Sequence, residues 1–261
     1  MNEISSILIP FDFSDASKTA LEYAVQFAIV DDSVEILLAH VVGEASSENL
    51  SEQFEKLQKR YSRDLKKPLK WIDLKGTLTE SLVELQQNKK TDLVIMGTSE
   101  AQDHEIKLIS NTSKFVSEVD CSVLVVPEKM DEFQIKNIAL VLGKEEIDDR
   151  HALETLLDIA RKFNAKVHVL TIENTSEMYG YSETDEANEN LLEYYLESFY
   201  TEHTFIENSD VVKGILSHAT EKEMDMIAIL PRNHAKRSNP SEGRLTEMLT
   251  LKSKIPVLAI D

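Results

Sequence analysis

The sequence predicts an α/β chain of two tandem domains, each a doubly wound parallel sheet with helices on both faces. Length comes first. At 261 residues with 42% hydrophobic content the chain exceeds the roughly 100–200 residues of one ordinary domain and can fill two cores. Repetition comes second. The second half echoes the first at an offset that grows from 131 residues (Ser6 against Asn137) to 134 (Cys121 against Ile255). Texture comes third. The recurring segments are short runs of Val, Ile and Leu without polar alternation, which suits strands covered on both faces.

The elements follow in order. Ser6-Ile7-Leu8-Ile9-Pro10 recurs as Asn137-Ile138-Ala139-Leu140-Val141, and Ala20-Leu21-Glu22 recurs as Ala152-Leu153-Glu154, so each half opens strand then helix. Ser14 is placed to cap the first helix, and Ala20, Leu21, Ala24, Val25 and Ala28 fall on one face of it. Val34 to Leu38 recurs as Val167 to Thr171, and Leu50, Phe54, Leu57 and Tyr61 mark a second helix. Leu78, Leu82 and Leu85 mark a third, and Ile106, Phe115 and Val116 a fourth. Asp92 to Met96 recurs as Asp225 to Ile229, and Cys121 to Val126 recurs as Ile255 to Ile260 to close each half. In the second half Leu153, Leu156, Leu157, Ile159 and Ala160 build the matching first helix, and Leu191 to Phe199 an aromatic-rich second one. Each half therefore reads βαβαβαβαβ, with domains at 1–130 and 131–261 joined between Glu128 and Gln134. Cys121, at the start of a closing strand, is expected to be a buried apolar residue.

Composition excludes several function classes. With 47 acidic against 28 basic residues the formal charge is −19, which repels phosphate backbones and anionic headgroups and argues against nucleic acid and membrane partners. One cysteine allows no internal disulfide and no thiolate cage for zinc or iron–sulfur clusters, consistent with a cytoplasmic location. No export signal opens the sequence, and no apolar run approaches the roughly 20 residues that span a bilayer. No Gly-x-Ser-x-Gly elbow, Walker loop or His-Glu-x-x-His pair occurs, so no catalytic residue and no metal ligand is assigned. The acidic group Glu145, Glu146, Asp148 and Asp149 is read as helix-start carboxylates facing the macrodipole.

Ligand sites in such folds lie beyond the carboxyl ends of the strands, where the strand order reverses. That directs attention to loops 10–15, 40–47 and 97–112, and to 142–150, 172–182 and 230–245 in the second half. At Ile7-Leu8-Ile9-Pro10-Phe11-Asp12-Phe13-Ser14, at Asp92-Leu93-Val94-Ile95-Met96-Gly97-Thr98 and at Cys121 to Pro127, the chain resembles the universal stress protein family. The resemblance runs through the first half and, more weakly but in the same order, the second. It implies a five-stranded parallel sheet per domain of the adenine-nucleotide-binding type, the two domains of a tandem member packing as an internal pseudo-dimer. A homodimer of the whole chain is compatible with it.

For members that bind ATP, the resemblance implies an aspartate after the first strand at the adenine or ribose, here Asp12. It also implies a loop of pattern Gly-x-x-Gly-x9-Gly-Ser/Thr after the fourth strand, whose amides cradle phosphates. Carried over, the nucleotide-contacting set is Asp12, Val41, Gly97, Ser110 and Asn111. Two of the three glycines are gone: Glu100 stands at the second position, and Ile109 or Ser110 at the third. A Cβ there removes the close backbone approach, and Glu100, Asp103 and Glu105 set carboxylates where phosphates would lie. In the second half Gly143 aligns with Asp12, and the loop opens Leu230-Pro231-Arg232 without glycine, though Arg232, His234, Lys236, Arg237 and Arg244 make it basic. The expectation is a stress-response protein acting through a protein partner, with ATP or another adenine nucleotide bound weakly or not at all. The alternatives are a nucleotide-binding switch and a nucleotide hydrolase or transferase, the last lacking any visible nucleophile and base.

Overall fold

A computed structural model describes residues 3–41, 50–99, 111–119, 121–130, 133–143, 146–147, 152–173, 182–230 and 241–260. They divide into two compact units, Ile4–Phe133 and the residues from Gln134 onward.

In the first unit the elements run β1 (Ser6–Pro10), α1 (Asp15–Val30), β2 (Glu35–Val41), α2 (Leu50–Tyr61), β3 (Lys70–Leu74), α3 (Leu78–Lys89), β4 (Leu93–Thr98), α4 (Asn111–Glu118) and β5 (Ser122–Pro127). The strands stand in the order β3-β2-β1-β4-β5, all parallel, so the order reverses between β1 and β4. Ile7, Leu8, Ile9, Val94, Ile95 and Leu124 are buried, as strands sandwiched between helix layers require. The side chain of Ser14 accepts a bond from Ser17 N at the start of α1. The face predicted from spacing, Ala20, Leu21, Ala24, Val25 and Ala28, is the buried one. Ile106, expected in the fourth helix, lies outside the described residues, and α4 buries Phe115 and Val116. Cys121 departs from expectation. It is half-buried and precedes β5, because the ladder with β4 begins only at Ser122, opposite Leu93.

The second unit repeats this order: β6 (Asn137–Leu142), α5 (Ala152–Phe163), β7 (Lys166–Glu173), α6 (Glu183–Leu196), β8 (Tyr200–Glu207), α7 (Val211–Glu221), β9 (Met226–Ile229), α8 (Ser241–Lys252) and β10 (Val257–Ala259). Its strands stand β8-β7-β6-β9-β10, again all parallel. The helix expected over Leu191 to Phe199 is the last part of α6, which starts at a capping box of Ser182 and Asp185 and gives way to a single 3-10 turn at Glu197–Phe199.

One device is shared by both halves at the amino ends of the strands. Asp92 Oδ2, just before β4, accepts bonds from Ser5 N, Ser5 Oγ, Ser6 N and Ser6 Oγ at 2.8–3.0 Å, tying β4 to the start of β1. Asp225, its counterpart in the repeat, accepts from Lys136 N and Asn137 N at 2.7 and 2.8 Å and from Gln134 Nε2 at 2.8 Å, tying β9 to β6. The amides served are those that a strand start leaves without a ladder partner.

Candidate functional site

In the first unit the reversal point lies at the carboxyl ends of β1 and β4. Beyond β1, Phe11 N still donates to Ala39 O at 2.8 Å and the Phe11 ring is buried. The chain then turns sharply. Phe13 sits at φ 65°, the left-handed region that a phenylalanine occupies only when its surroundings hold it there. Asp12 Oδ1 accepts from Ser14 N at 3.0 Å and Ser14 Oγ at 2.5 Å, while Ser14 caps α1. Partial desolvation raises the pKa of the exposed Asp12 carboxyl, but the bonds from Ser14 and the Ser17 hydroxyl outweigh it and hold the group below the usual aspartate range. Asp12 is therefore a carboxylate at neutral pH, engaged in the turn that starts α1.

What holds Phe13 is an aromatic cluster that the sequence reading missed. Its ring meets Phe11 edge-on at 4.9 Å, Phe54 of α2 at 4.9 Å and the His40 ring of β2 at 6.2 Å. Phe54 in turn stacks on Trp71 of β3 at 4.6 Å, with the planes 6° apart. His40 Nδ1 lies 3.4 Å from Asp73 Oδ1, its register partner across β2 and β3. The sequence signal was present in Phe11-x-Phe13 immediately after an apolar strand, with Phe54 on the buried face of the second helix.

The site residues carried over from the resemblance fall as follows. Asp12 lies two residues past the end of β1, Val41 ends β2 half-buried opposite Leu74, and Gly97 is the fifth residue of β4, opposite Val126. Glu100, Asp103, Glu105, Ile109 and Ser110 lie outside the described residues, and of Asn111 only the backbone at the start of α4 is described. Gly97 has a packing reason for lacking a side chain. A Cβ there would stand 2.0 Å from Ala16 O and 2.3 Å from Ala16 C, so the first turn of α1 lies directly against it.

In the second unit Gly143 is exposed after β6, and Leu230 follows β9. Arg232, His234, Lys236, Arg237, Glu145, Asp148 and Asp149 lie outside the described residues, as does the side chain of Arg244. Among the described residues no group of three or more His, Cys, Asp or Glu side chains could hold a metal ion, and no helix is long and apolar enough to cross a membrane.

Two consecutive parallel α/β units, each with a reversal of strand order and an acidic or glycine-bearing turn after its first strand, define a tandem protein of the doubly wound class. Comparison with known proteins gives the family. The universal stress protein family model matches residues 3–127 and again 134–261, and the chain belongs to that family. It is 30% identical over 151 residues to the universal stress protein MJ0531 of Methanocaldococcus jannaschii, an alignment covering 50% of this chain and 86% of that one. Among solved structures, a universal stress protein from Archaeoglobus fulgidus superposes with a TM-score of 0.70 at 15% identity, covering 100% of this chain and 99% of its own. The functionally unknown protein PA1789 of Pseudomonas aeruginosa superposes at 0.71 with 18% identity, covering 98% and 92%. At these identities the structural matches speak for the fold.

Proposed function

We propose that this chain is a tandem stress-response protein that acts in the cytoplasm by binding a protein partner, without catalysis, and that its first-half cleft holds adenine nucleotide weakly or not at all. The observation that carries this reading is Gly97. The one loop glycine kept from the nucleotide-binding pattern lies against Ala16, where a side chain has no room, so packing of α1 on the sheet accounts for it without a ligand. The lost glycines at Glu100 and at Ile109 or Ser110 point the same way. The two units act as domains of 1–130 and 131–261, the second chiefly structural with respect to nucleotide.

Calorimetric titration of the full chain with ATP tests the reading directly. Weak or absent heat is expected, and submicromolar affinity overturns it. If Glu100→Gly with Ile109→Gly creates measurable binding that Asp12→Ala then removes, the cleft is a nucleotide site that has lost its phosphate loop. A second reading, an adenine-nucleotide switch using Asp12, Val41, Gly97, Ser110 and Asn111, is favoured by one feature: Asp12 is held ionised in the turn after β1, able to accept from a hydroxyl. An adenine compound that stays with the protein through mild purification would select it.

A further inference from the structure

The second unit contains a cavity of 470 Å³ at the loop after β6, between Glu146 and Ile147 and the exposed face of α6. That volume lies within the range of small-molecule sites, which runs from about 300 to 1,000 Å³. Its floor is fixed by a polar clamp: Asn188, 2% exposed, accepts the Ile147 N–H through Oδ1 at 2.9 Å and holds Ile147 against α6. Ile147, Ala187 and Leu191 supply apolar wall, and Asn190 supplies an amide. Two tyrosines form the remaining side. Tyr194 and Tyr195 meet at 5.4 Å with their planes 78° apart, making an aromatic corner, and Tyr194 is left 76% exposed.

The charge of the lining selects the ligand. Among the described residues that line it, Glu146 is the one carboxylate and none is a lysine or arginine. Helix α6 itself carries Glu183, Asp185, Glu186, Glu189 and Glu193 and no basic residue. Among the described lining residues an anion such as a phosphate would meet the Glu146 carboxylate and no basic side chain, whereas a cation gains from the carboxylate field and from the negative faces of the two rings. We infer that this cavity is a binding site for a small organic cation of the quaternary ammonium type, seated in the Tyr194–Tyr195 corner with Glu146 as its counter-ion. The inference is independent of the nucleotide reading above, since it concerns other residues in the other half of the chain.

The test uses choline and its uncharged isostere 3,3-dimethylbutan-1-ol, titrated into the full chain and followed by the ligand methyl resonance. Choline is expected to bind saturably, with the neutral isostere at least about tenfold weaker, the loss of one cation–π and ion-pair interaction set. Tyr194→Ala should weaken choline about tenfold and Tyr194→Phe should restore it, because the ring face and not the hydroxyl makes the contact. Glu146→Gln should weaken choline and narrow the gap to the isostere. Both positions are exposed, so these variants keep the native fold, which the unchanged circular dichroism of each would record. Absence of saturation, equal binding of the two probes, indifference to both substitutions, or displacement of choline by ATP would each overturn the assignment.

Discussion

Substituting Gly97 by alanine separates a glycine kept for packing from a glycine kept for a ligand. The added Cβ would stand 2.0 Å from a backbone oxygen of Ala16, against ordinary contact beginning at 3.4 Å, so α1 must back away from the sheet by about 1.4 Å. The obstacle is main chain in the first turn of a helix whose buried face includes Leu21, Ala24 and Phe27, and no rotamer change can relieve it. Overpacking of this kind costs about 1–3 kcal/mol, and a backbone obstacle puts Gly97→Ala at or above the upper end. For a chain of this size about 3 kcal/mol lowers Tm by roughly 6–12 °C. The measurement is thermal and urea unfolding of the full chain without nucleotide, read at the midpoints. A midpoint unchanged within about 0.5 kcal/mol would refute the packing account. The glycine would then matter only when something is bound.

Three further outcomes are expected. Asp92→Ala removes the shared acceptor of four bonds at the start of β1 and should cost about 2–3 kcal/mol in urea unfolding, with Asp225→Ala similar in the second half; a loss below about 0.5 kcal/mol at both would show the bonds to be incidental. Phe54→Ala should cost about 3–5 kcal/mol and, by unstacking the sole tryptophan, Trp71, shift its emission to the red; an unchanged spectrum would contradict the stacked geometry. Desolvation depresses the pKa of His168, against the opposing pull of Glu202, and that of His218, where Lys222 adds to it and Glu221 and Glu202 oppose, so both rings bind protons more readily unfolded. Stability should therefore fall as pH drops through about 6.5, and His168→Gln with His218→Gln should flatten that slope; an equal slope in the double variant would place the proton uptake elsewhere.

The fold was legible where burial on both faces leaves an unbroken apolar run, as in Ile7 to Ile9 and Leu93 to Met96, and where the same run recurs a half-chain later. It was not legible at the sheet edges. β3, Lys70-Trp71-Ile72-Asp73-Leu74, and β8, with Glu202 and His203, are partly exposed, and their mixed polarity carries no strand signature of its own. Cys121 was misplaced by one residue because composition does not mark where a ladder begins. At the site, Asp12 and Gly97 stood out as residue types, but what each touches did not. Gly97 depends on the approach of α1 and Phe13 on rings from α2 and β2, contacts remote in sequence that no local pattern encodes.

Asp92 and Asp225 make a division of labour between the two ends of each sheet. The amino ends are stitched by the same carboxylate in both halves, although the two halves carry different residues at nearly every loop beyond the carboxyl ends. Registration of the central strands is thus secured at the amino ends of each unit's own strands, leaving their carboxyl ends free to be rewritten. A loop from one half grafted into the corresponding place of the other should leave its host folded, which makes the duplicated chain a natural frame for moving a binding surface from one half to the other.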